Sequence, residues 1–173
     1  DRALTPAAPN YSQQAEWSAI SRDGKQVVYD WLTEKGTEFR IAALPASGFL
    51  EPRPLNADYF SSFDWSPDGK WIAGTRRLQD RTAQIGLIAV ADGSFRPLKS
   101  VDGSVFATAR NRTSIFFSPD GKYVAYDRAP TETSRQRDVF VLAVDGSRDI
   151  PAVVHSANDA VMGWSPDGTR LLF

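Results

Sequence analysis

Short apolar stretches alternate with polar turns along this chain, and one turn sequence returns four times. Runs rich in β-branched and aromatic residues stand on both sides of the turns, as Trp71–Ala73 and Tyr123–Tyr126 do after two of them. Apolar runs of this kind, split by a short Pro/Asp/Gly turn, predict β-hairpins. The copies are Ser21–Gly24, Ser66–Gly69, Ser118–Gly121 and Ser165–Gly168, and their period is typical of propellers and solenoids.

Each residue type in this turn has a conformational reason to be there. Proline presets φ at the second position, and Arg22 in the first copy can adopt the same φ. Aspartate can hydrogen-bond its own backbone, and glycine supplies the left-handed conformation that lets the strands pair again. We therefore predict a structural role in the turns for Asp23, Gly24, Asp68, Gly69, Asp120, Gly121, Asp167 and Gly168.

A second glycine follows three of the turns at a nearly constant distance. Gly48, Gly93 and Gly146 each end a further apolar segment, and a short segment containing proline comes after each of them. Two of those segments begin with Arg-Pro-Leu, at Arg53 and Arg96. Because proline is tolerated in a strand only at an edge or an end, these segments predict an outermost fourth strand. The repeating unit is therefore four antiparallel strands.

Many of the predicted strands are apolar on both faces. In Tyr123–Tyr126, for example, both alternating sets of side chains are apolar or aromatic. That pattern indicates a small sheet that is covered on both sides by others like it. Radial stacking of four-stranded sheets is a β-propeller. We therefore predict an all-β fold, a β-propeller of four-stranded antiparallel blades, with about three and a half blades in this chain.

The turn and its flanks also resemble a known repeat. The WD40-like (PD40) repeat of TolB-type propellers is similar to Trp65–Ala73 (WSPDGKWIA) and Phe117–Tyr126 (FSPDGKYVAY). The same repeat occurs in the propeller domains of prolyl oligopeptidase-like peptidases. The resemblance covers nearly the whole chain and is specific for fold rather than for function. By resemblance to TolB-type proteins, a periplasmic or other extracytoplasmic location is expected.

The repeats divide the chain into five predicted segments. The lead segment, 1–14, is either the outer strand of another blade or a frayed terminus. Blade 1 spans 15–55, blade 2 with a long inter-blade loop spans 56–112, blade 3 spans 113–157, and the first half of blade 4 spans 158–173. Two strands alone leave an unpaired edge and an apolar flank. We therefore expect the rest of a longer propeller, of about six to eight blades, or another chain to cover blade 4.

Composition narrows the classes of function. With 20 basic and 21 acidic residues the net charge is −1, which argues against nucleic acid as a partner. No apolar run approaches the roughly 18 residues that insertion into a membrane needs. The chain has no cysteine, which excludes thiolate metal sites. Because phosphate loops, zinc spacings and dinucleotide fingerprints are also missing, we predict no cofactor.

Catalytic residues are not predicted in this chain. A nucleophile–base–acid triad would need His155, the one histidine, and we favour a surface or inter-blade role for it. The run Gly163–Asp167 lacks the second glycine of a nucleophile elbow, and its serine precedes a hairpin turn rather than a helix. The turn aspartates lie in separate blades, whereas calcium needs about six oxygens at one point, so no metal site is predicted.

A binding site is expected at the mouth of the central channel or at the end of the blades opposite the Asp-Gly turns. We predict four longer links there, Asp30–Glu38, Arg76–Ala83, Lys99–Arg112 and Asp127–Asp138, and function tends to lie on long loops held by a rigid scaffold. Their arginines suit a carboxylate, a phosphate or an acidic protein surface, although the interleaved acidic residues favour a solvated face. The tryptophan of the first link is either an exposed contact or packed between blades. The candidate binding residues are Trp31, Arg76, Arg77, Arg110, Arg112 and Arg128, with Arg81, Arg135 and Arg137 at the same end.

The sequence leaves more than one function open. The first hypothesis is a non-catalytic scaffold, similar to TolB-type propellers, that recognises a protein or peptide partner or a ligand. The alternative is the gating propeller of a prolyl oligopeptidase-like serine peptidase whose catalytic residues lie outside this segment. A sensory propeller attached to a regulatory or kinase domain is a third hypothesis.

Overall fold

A computed structural model describes residues 14–44, 51–56, 60–80, 82–101, 113–129, 134 and 136–173. These residues contain fourteen β-strands, and every paired strand is antiparallel to its neighbour. The strands are β1 (Gln14–Ile20), β2 (Gln26–Thr33), β3 (Gly36–Ala43), β4 (Arg53–Asn56), β5 (Phe60–Trp65), β6 (Trp71–Arg77), β7 (Ala83–Ala89), β8 (Phe95–Val101), β9 (Ile115–Phe117), β10 (Tyr123–Arg128), β11 (Asp138–Ala143), β12 (Asp149–Val153), β13 (Gly163–Trp164) and β14 (Leu171–Leu172).

The strands form three four-stranded sheets and one two-stranded sheet. Chain order and spatial order agree in each: β1-β2-β3-β4, β5-β6-β7-β8, β9-β10-β11-β12 and β13-β14. We call these sheets blade 1, blade 2, blade 3 and blade 4, and the contact between two successive blades a seam. Three complete antiparallel blades and two strands of a fourth confirm the predicted all-β propeller architecture.

Most of the apolar core lies in the seams, where facing sides of successive blades pack together. Seam 1–2 joins Val28, Phe39, Ile41 and Leu55 to Phe60, Trp65, Ile72 and Ile88. Seam 2–3 joins Ala73, Ala83, Ile85, Leu87 and Val101 to Ile115, Phe117, Val124, Tyr126 and Leu142. Seam 3–4 joins Ala125 and Val139 to Val161, with Trp164 and Leu171 packed against them. A further cluster of Val27, Tyr29, Trp31 and Ala42 lies on the face of blade 1 that is turned away from blade 2.

Hydrogen bonds between first strands fix neighbouring blades at each seam. The indole N–H of Trp65 donates to the carbonyl oxygen of Ala19 at 3.0 Å, and that of Trp164 donates to Phe116 at 3.1 Å. Blade 3 has Phe117 at the tryptophan position, which offers no indole donor. Its backbone N–H donates instead to a carboxylate oxygen of Asp64 in blade 2, at 2.8 Å.

The first predicted long link, Asp30–Glu38, is wrong. β2 continues to Thr33 and β3 begins at Gly36, so a tight turn joins them. The hydroxyl of Thr33 donates to the carbonyl oxygen of Gly36 at 2.8 Å, and Gly36 has φ of +129°, which favours glycine. The polar residues on both sides of Trp31 suggest a loop in the sequence, although β2 continues past Asp30.

Blade 2 has a pair of glycines where the other blades carry large side chains. Gly74 and Gly86 face each other across β6 and β7, at the positions of Tyr126 and Phe140 in blade 3. The rings of Phe60 in β5 and Phe95 in β8 fill the space, in an edge-to-face contact with centroids 6.1 Å apart. The two rings, which belong to the outer strands β5 and β8, therefore occupy the space that the glycines of the inner strands β6 and β7 leave empty. Phe60 is fully buried in seam 1–2.

Candidate functional site

The four Asp-Gly turns have the same hydrogen bonds. In each, the serine hydroxyl donates to the Oδ1 of the aspartate, at 2.5–2.7 Å, and accepts from the backbone N–H five residues after the serine, at 2.9–3.0 Å. The turn glycine donates to the serine carbonyl oxygen and has φ near +70°. The carboxylate closes its own turn, which accounts for the repeated aspartate by turn chemistry.

These bonds make the turns sensitive to acid. The serine hydroxyl contributes most to lowering the pKa of Asp23, Asp68 and Asp167, to about 2 for Asp167. The N–H of Lys122 contributes most to lowering the pKa of Asp120. The unfolded chain has ordinary carboxyl pKa values near 3.9, so it binds protons before the folded chain does. The stabilisation is therefore complete above about pH 4 and is lost as the pH falls towards 2.

Asp167→Asn tests this dependence. We expect the variant to unfold at lower urea concentration than wild type at pH 5, and the difference to shrink steadily between pH 4 and pH 2. Urea denaturation followed by tryptophan fluorescence at four pH values measures it. Glu34→Gln, in the β2–β3 turn, serves as the control for a carboxylate outside the Asp-Gly turns. A deficit for Asp167→Asn that stays constant down to pH 2 would contradict the assignment.

At the opposite end of the blades, Trp31 lies within β2 rather than on a loop. It is only 5% exposed, its ring meets Tyr29 edge to face, and the guanidinium of Arg40 lies 5.3 Å from the ring centre. Trp31 is therefore not an exposed contact, and the residues it packs against belong to its own blade rather than to a neighbouring one.

Two of the predicted arginines occupy matching positions at the ends of their strands. Arg76 in β6 lies over the ring of Phe95 at 4.0 Å and donates to Gln84, while Arg128 in β10 lies over Phe140 at 4.5 Å. Both are half-buried, so their stems and planar faces cover apolar surface as well as carrying charge. Arg77 is exposed. Arg110 and Arg112 lie outside the described residues, as do Arg81 and Arg135, and partner binding by this group stays a prediction.

Arg137 is the arginine whose predicted environment differs most from the structure. Its side chain is 1% exposed and forms a buried ion pair with Asp127. The pair is formed by Nε, and the terminal nitrogen Nη2 donates to Thr113 and to the backbone carbonyl oxygen of Asp127, both at 2.8 Å. A solvated face is therefore wrong for this arginine. The sequence places Asp127 and Arg137, which have opposite charges, at the two ends of the β10–β11 link. It does not show that this pair is buried.

Asp127 connects three parts of the propeller. Besides Arg137, its carboxylate accepts the backbone N–H of Ser114 at 2.8 Å and that of Val161 at the start of blade 4. Burial raises the pKa of Asp127 despite these partners. In blade 2 the matching residue is Thr75, whose hydroxyl donates to the carbonyl oxygen of Ser61 at 3.1 Å. The position thus fastens the second strand to the first in both blades.

A second ion pair ties the outer strands of seam 2–3 together. Lys99 in β8 pairs with Asp149 in β12, and the hydroxyl of Tyr126 donates to the same carboxylate at 2.9 Å. Burial, followed by the charge of Asp149, raises the pKa of Tyr126 well above its ordinary value. The tyrosine therefore acts as a hydrogen-bond donor in this cluster and stays protonated.

His155 lies on the link between blades 3 and 4, where Nδ1 takes part in a hydrogen bond and Nε2 lies beside a carboxylate. Nδ1 accepts the backbone N–H of Ala157 at 3.1 Å, and Nε2 lies 3.2 Å from a carboxylate oxygen of Asp159. A general base must have a free nitrogen directed at a nucleophile. The imidazole instead closes a loop, which is held further by a hydrogen bond from Asp159 N–H to Arg137.

The part of the chain that the structure describes has neither a cluster of metal-ligating side chains nor a membrane-spanning helix. It contains no group of three or more His, Asp and Glu side chains placed to hold a metal ion. Nor does it include a helix with the length and apolar composition to cross a membrane.

Comparison of sequences with known proteins finds dipeptidyl-peptidase 5 in two strains of Aspergillus fumigatus. It is 31% identical over an alignment of 126 residues that covers 65% of this chain and 17% of that protein. The chain thus spans about a sixth of the length of this curated relative. No protein-family model matches the chain.

Comparison of structures extends over more of the chain. A protein assigned as TolB from Agrobacterium tumefaciens aligns with a TM-score of 0.69 and 21% identity, covering 92% of this chain and 53% of that one. A puromycin hydrolase aligns with a TM-score of 0.66 and 16% identity, covering 88% of this chain and 24% of that one. At these identities the likeness concerns fold. The chain is therefore a stretch of β-propeller of the kind that TolB and peptidase structures share.

Proposed function

We propose that this chain is a non-catalytic part of the propeller of a dipeptidyl-peptidase-like serine peptidase, where it forms a rigid scaffold beside the path of a peptide. The observation that carries the proposal is the 31% identity to dipeptidyl-peptidase 5 over 126 residues. The catalytic nucleophile, base and acid would then belong to residues beyond those in this chain.

The hydrogen bonding of the candidate reactive groups supports the non-catalytic role. Ser165, in the run that superficially suggests a nucleophile elbow, donates to Asp167 and accepts the N–H of Arg170. Its three sister serines have the same arrangement. The ring nitrogens of His155 both face atoms of its own loop. These groups serve turns and links, which is what a scaffold requires.

Active-site labelling of the native protein tests the proposal. Antibodies raised against this chain isolate the native polypeptide from cells that make it, and a fluorophosphonate probe then reports an activated serine. We expect labelling of the isolated polypeptide and release of 4-nitroaniline from dipeptidyl 4-nitroanilides. The recombinant 173-residue chain should remain unlabelled, and its labelling would contradict the non-catalytic role.

An unlabelled native protein would instead favour the scaffold hypothesis, in which the propeller recognises a protein or peptide without cleaving it. The TolB-type resemblance favours that second function, together with an extracytoplasmic location. Fractionation of the same cells, with the antibody as reporter, measures the location directly.

A further inference from the structure

At two seams, an arginine of the fourth strand forms a hydrogen bond to the next blade. Arg53 in β4 donates to the carbonyl oxygen of Val90 in blade 2 at 2.8 Å, and Arg96 in β8 donates to that of Val144 in blade 3 at 3.2 Å. The guanidinium of Arg96 also lies over the ring of Trp71, 4.8 Å from its centre. A cation over an aromatic face is attracted by the ring quadrupole.

Seam 3–4 departs from this repeat in two places. The residue that matches Arg53 and Arg96 is Ile150, since all three directly precede the proline of the fourth strand and pair with the same position of the third. Ile150 is 47% exposed. The residue that matches Lys25, Lys70 and Lys122 in the Asp-Gly turn is Thr169. Both changes remove a positive charge from the same seam.

The aspartate of the last turn consequently lacks the lysine that its sisters have. The lysine nitrogens of the other turns lie 3.7–3.9 Å from the second carboxylate oxygen of their aspartates. Asp167 keeps the turn bonds through Oδ1, and Thr169 supplies only uncharged donors to that same oxygen. Among the described residues, no ion pair within 4 Å of Asp167 is found.

A groove of about 590 Å³ opens at this seam on the Asp-Gly end. Its lining includes Tyr123, at the position of Trp71, together with Val141, Ile150, Trp164, Asp120 and Asp167. The matching recess at seam 2–3, where four strands flank both sides, contains Arg96 and still measures about 240 Å³. A recess at this place thus persists between complete blades.

We propose that the groove at seam 3–4 binds the guanidinium group of an arginine-bearing peptide or protein segment, which takes in trans the place that Arg96 takes in cis at seam 2–3. The aromatic face of Tyr123 corresponds to the ring under Arg96, and the unpaired carboxylate oxygen of Asp167 supplies the opposite charge. The apolar wall formed by Val141 and Ile150 accommodates the aliphatic stem of the arginine. The site follows from the chain itself and holds for either function proposed above.

Titration of the purified protein with N-acetyl-arginine methylamide tests the site. The norleucine analogue has a similar stem without charge and serves as the matched probe. We expect the arginine probe to bind about five- to thirty-fold more tightly, as judged by shifts of the Trp164 indole N–H signal in NMR spectra. Equal binding of the two probes overturns the proposal.

Two substitutions that restore the repeat should close the site. Ile150→Arg places an arginine of the chain itself in the groove, and Thr169→Lys places a lysine beside Asp167. Each should therefore weaken binding of the arginine probe by at least about fivefold. Ile150→Leu and Thr169→Ser are the matched controls and should bind like wild type. Both positions are on the surface, so circular dichroism should show an unchanged fold. Unchanged arginine binding in both restored variants overturns the proposal even if the arginine probe is preferred.

Discussion

Asp127→Ala is expected to lower the free energy of unfolding by about 3–5 kcal/mol, the usual loss when one partner of a buried ion pair is removed. The substitution leaves Arg137, which is almost fully buried, without its counter-charge. It also removes the acceptor for the backbone N–H groups of Ser114 and Val161. Urea denaturation at pH 7 measures the loss, and we expect contacts at seam 3–4 to open first in hydrogen exchange.

Blade 2 provides the matched control for this prediction. Thr75 and Ala83 stand there at the positions of Asp127 and Arg137. The double variant Asp127→Thr with Arg137→Ala copies that arrangement and should recover more than half of the loss, because no charge is left buried. A double variant as unstable as Asp127→Ala would show that the charge pair is not the cause.

The single variant Arg137→Ala should depend on pH. It leaves the carboxyl of Asp127 buried without a cation, so its raised pKa rises further. A carboxyl whose folded pKa lies above the unfolded value binds protons on folding, so stability increases as the pH falls through the folded pKa. We therefore expect the deficit of Arg137→Ala to be smaller at pH 5 than at pH 8.

Gly86→Ala is expected to destabilise the protein by about 2–3 kcal/mol and to lower Tm by about 5–10 °C. Alanine is ordinarily better than glycine inside a strand, so the prediction runs against intrinsic preference. The reason is space, since a Cβ at Gly86 would lie 2.6 Å from the backbone carbonyl oxygen of Arg96 and closer still to the ring of Phe95. Differential scanning calorimetry measures the change.

Gly74→Ala separates the two kinds of clash. A Cβ there meets only the ring of Phe60, with Cζ at 2.6 Å, and no backbone atom of another strand is among its nearest neighbours. Phe60→Leu should therefore restore much of the stability lost in Gly74→Ala. Phe95→Leu should restore much less in Gly86→Ala, because the carbonyl oxygen of Arg96 remains. Equal rescue at both sites would contradict the geometric explanation.

The architecture could be predicted from sequence because the information is local and repeated. Each Asp-Gly turn contains its own serine and aspartate acceptors, so the hairpin is specified within about six residues. Proline after Arg53 and Arg96 likewise identifies the outer strand. The loop predicted around Trp31 is wrong for the opposite reason. The residues there are polar, and only their pairing with β3 identifies them as part of β2.

The candidate sites could not be predicted from single repeats, because they depend on contacts between repeats and on differences between their copies. Arg137 reads as a surface residue until Asp127 and the seam to blade 4 are placed around it. Ile150 and Thr169 are unremarkable residues taken singly, and their meaning comes from the arginine and lysine that other copies have there. Comparison of copies position by position is the signal that would have found them. Phe117 and Asp64 form a further such pair.

The hydrogen bond from the backbone N–H of Phe117 to the carboxylate of Asp64 also limits which blades can be neighbours. Excision of blade 2 would set Phe117 beside Ala19, which has no side-chain acceptor for the amide, while Phe117 has no indole to offer in return. Blade 2 and blade 3 are therefore matched to each other at this seam. A deletion of blade 2 that joins blade 1 to blade 3 should lose the hydrogen bond between their first strands.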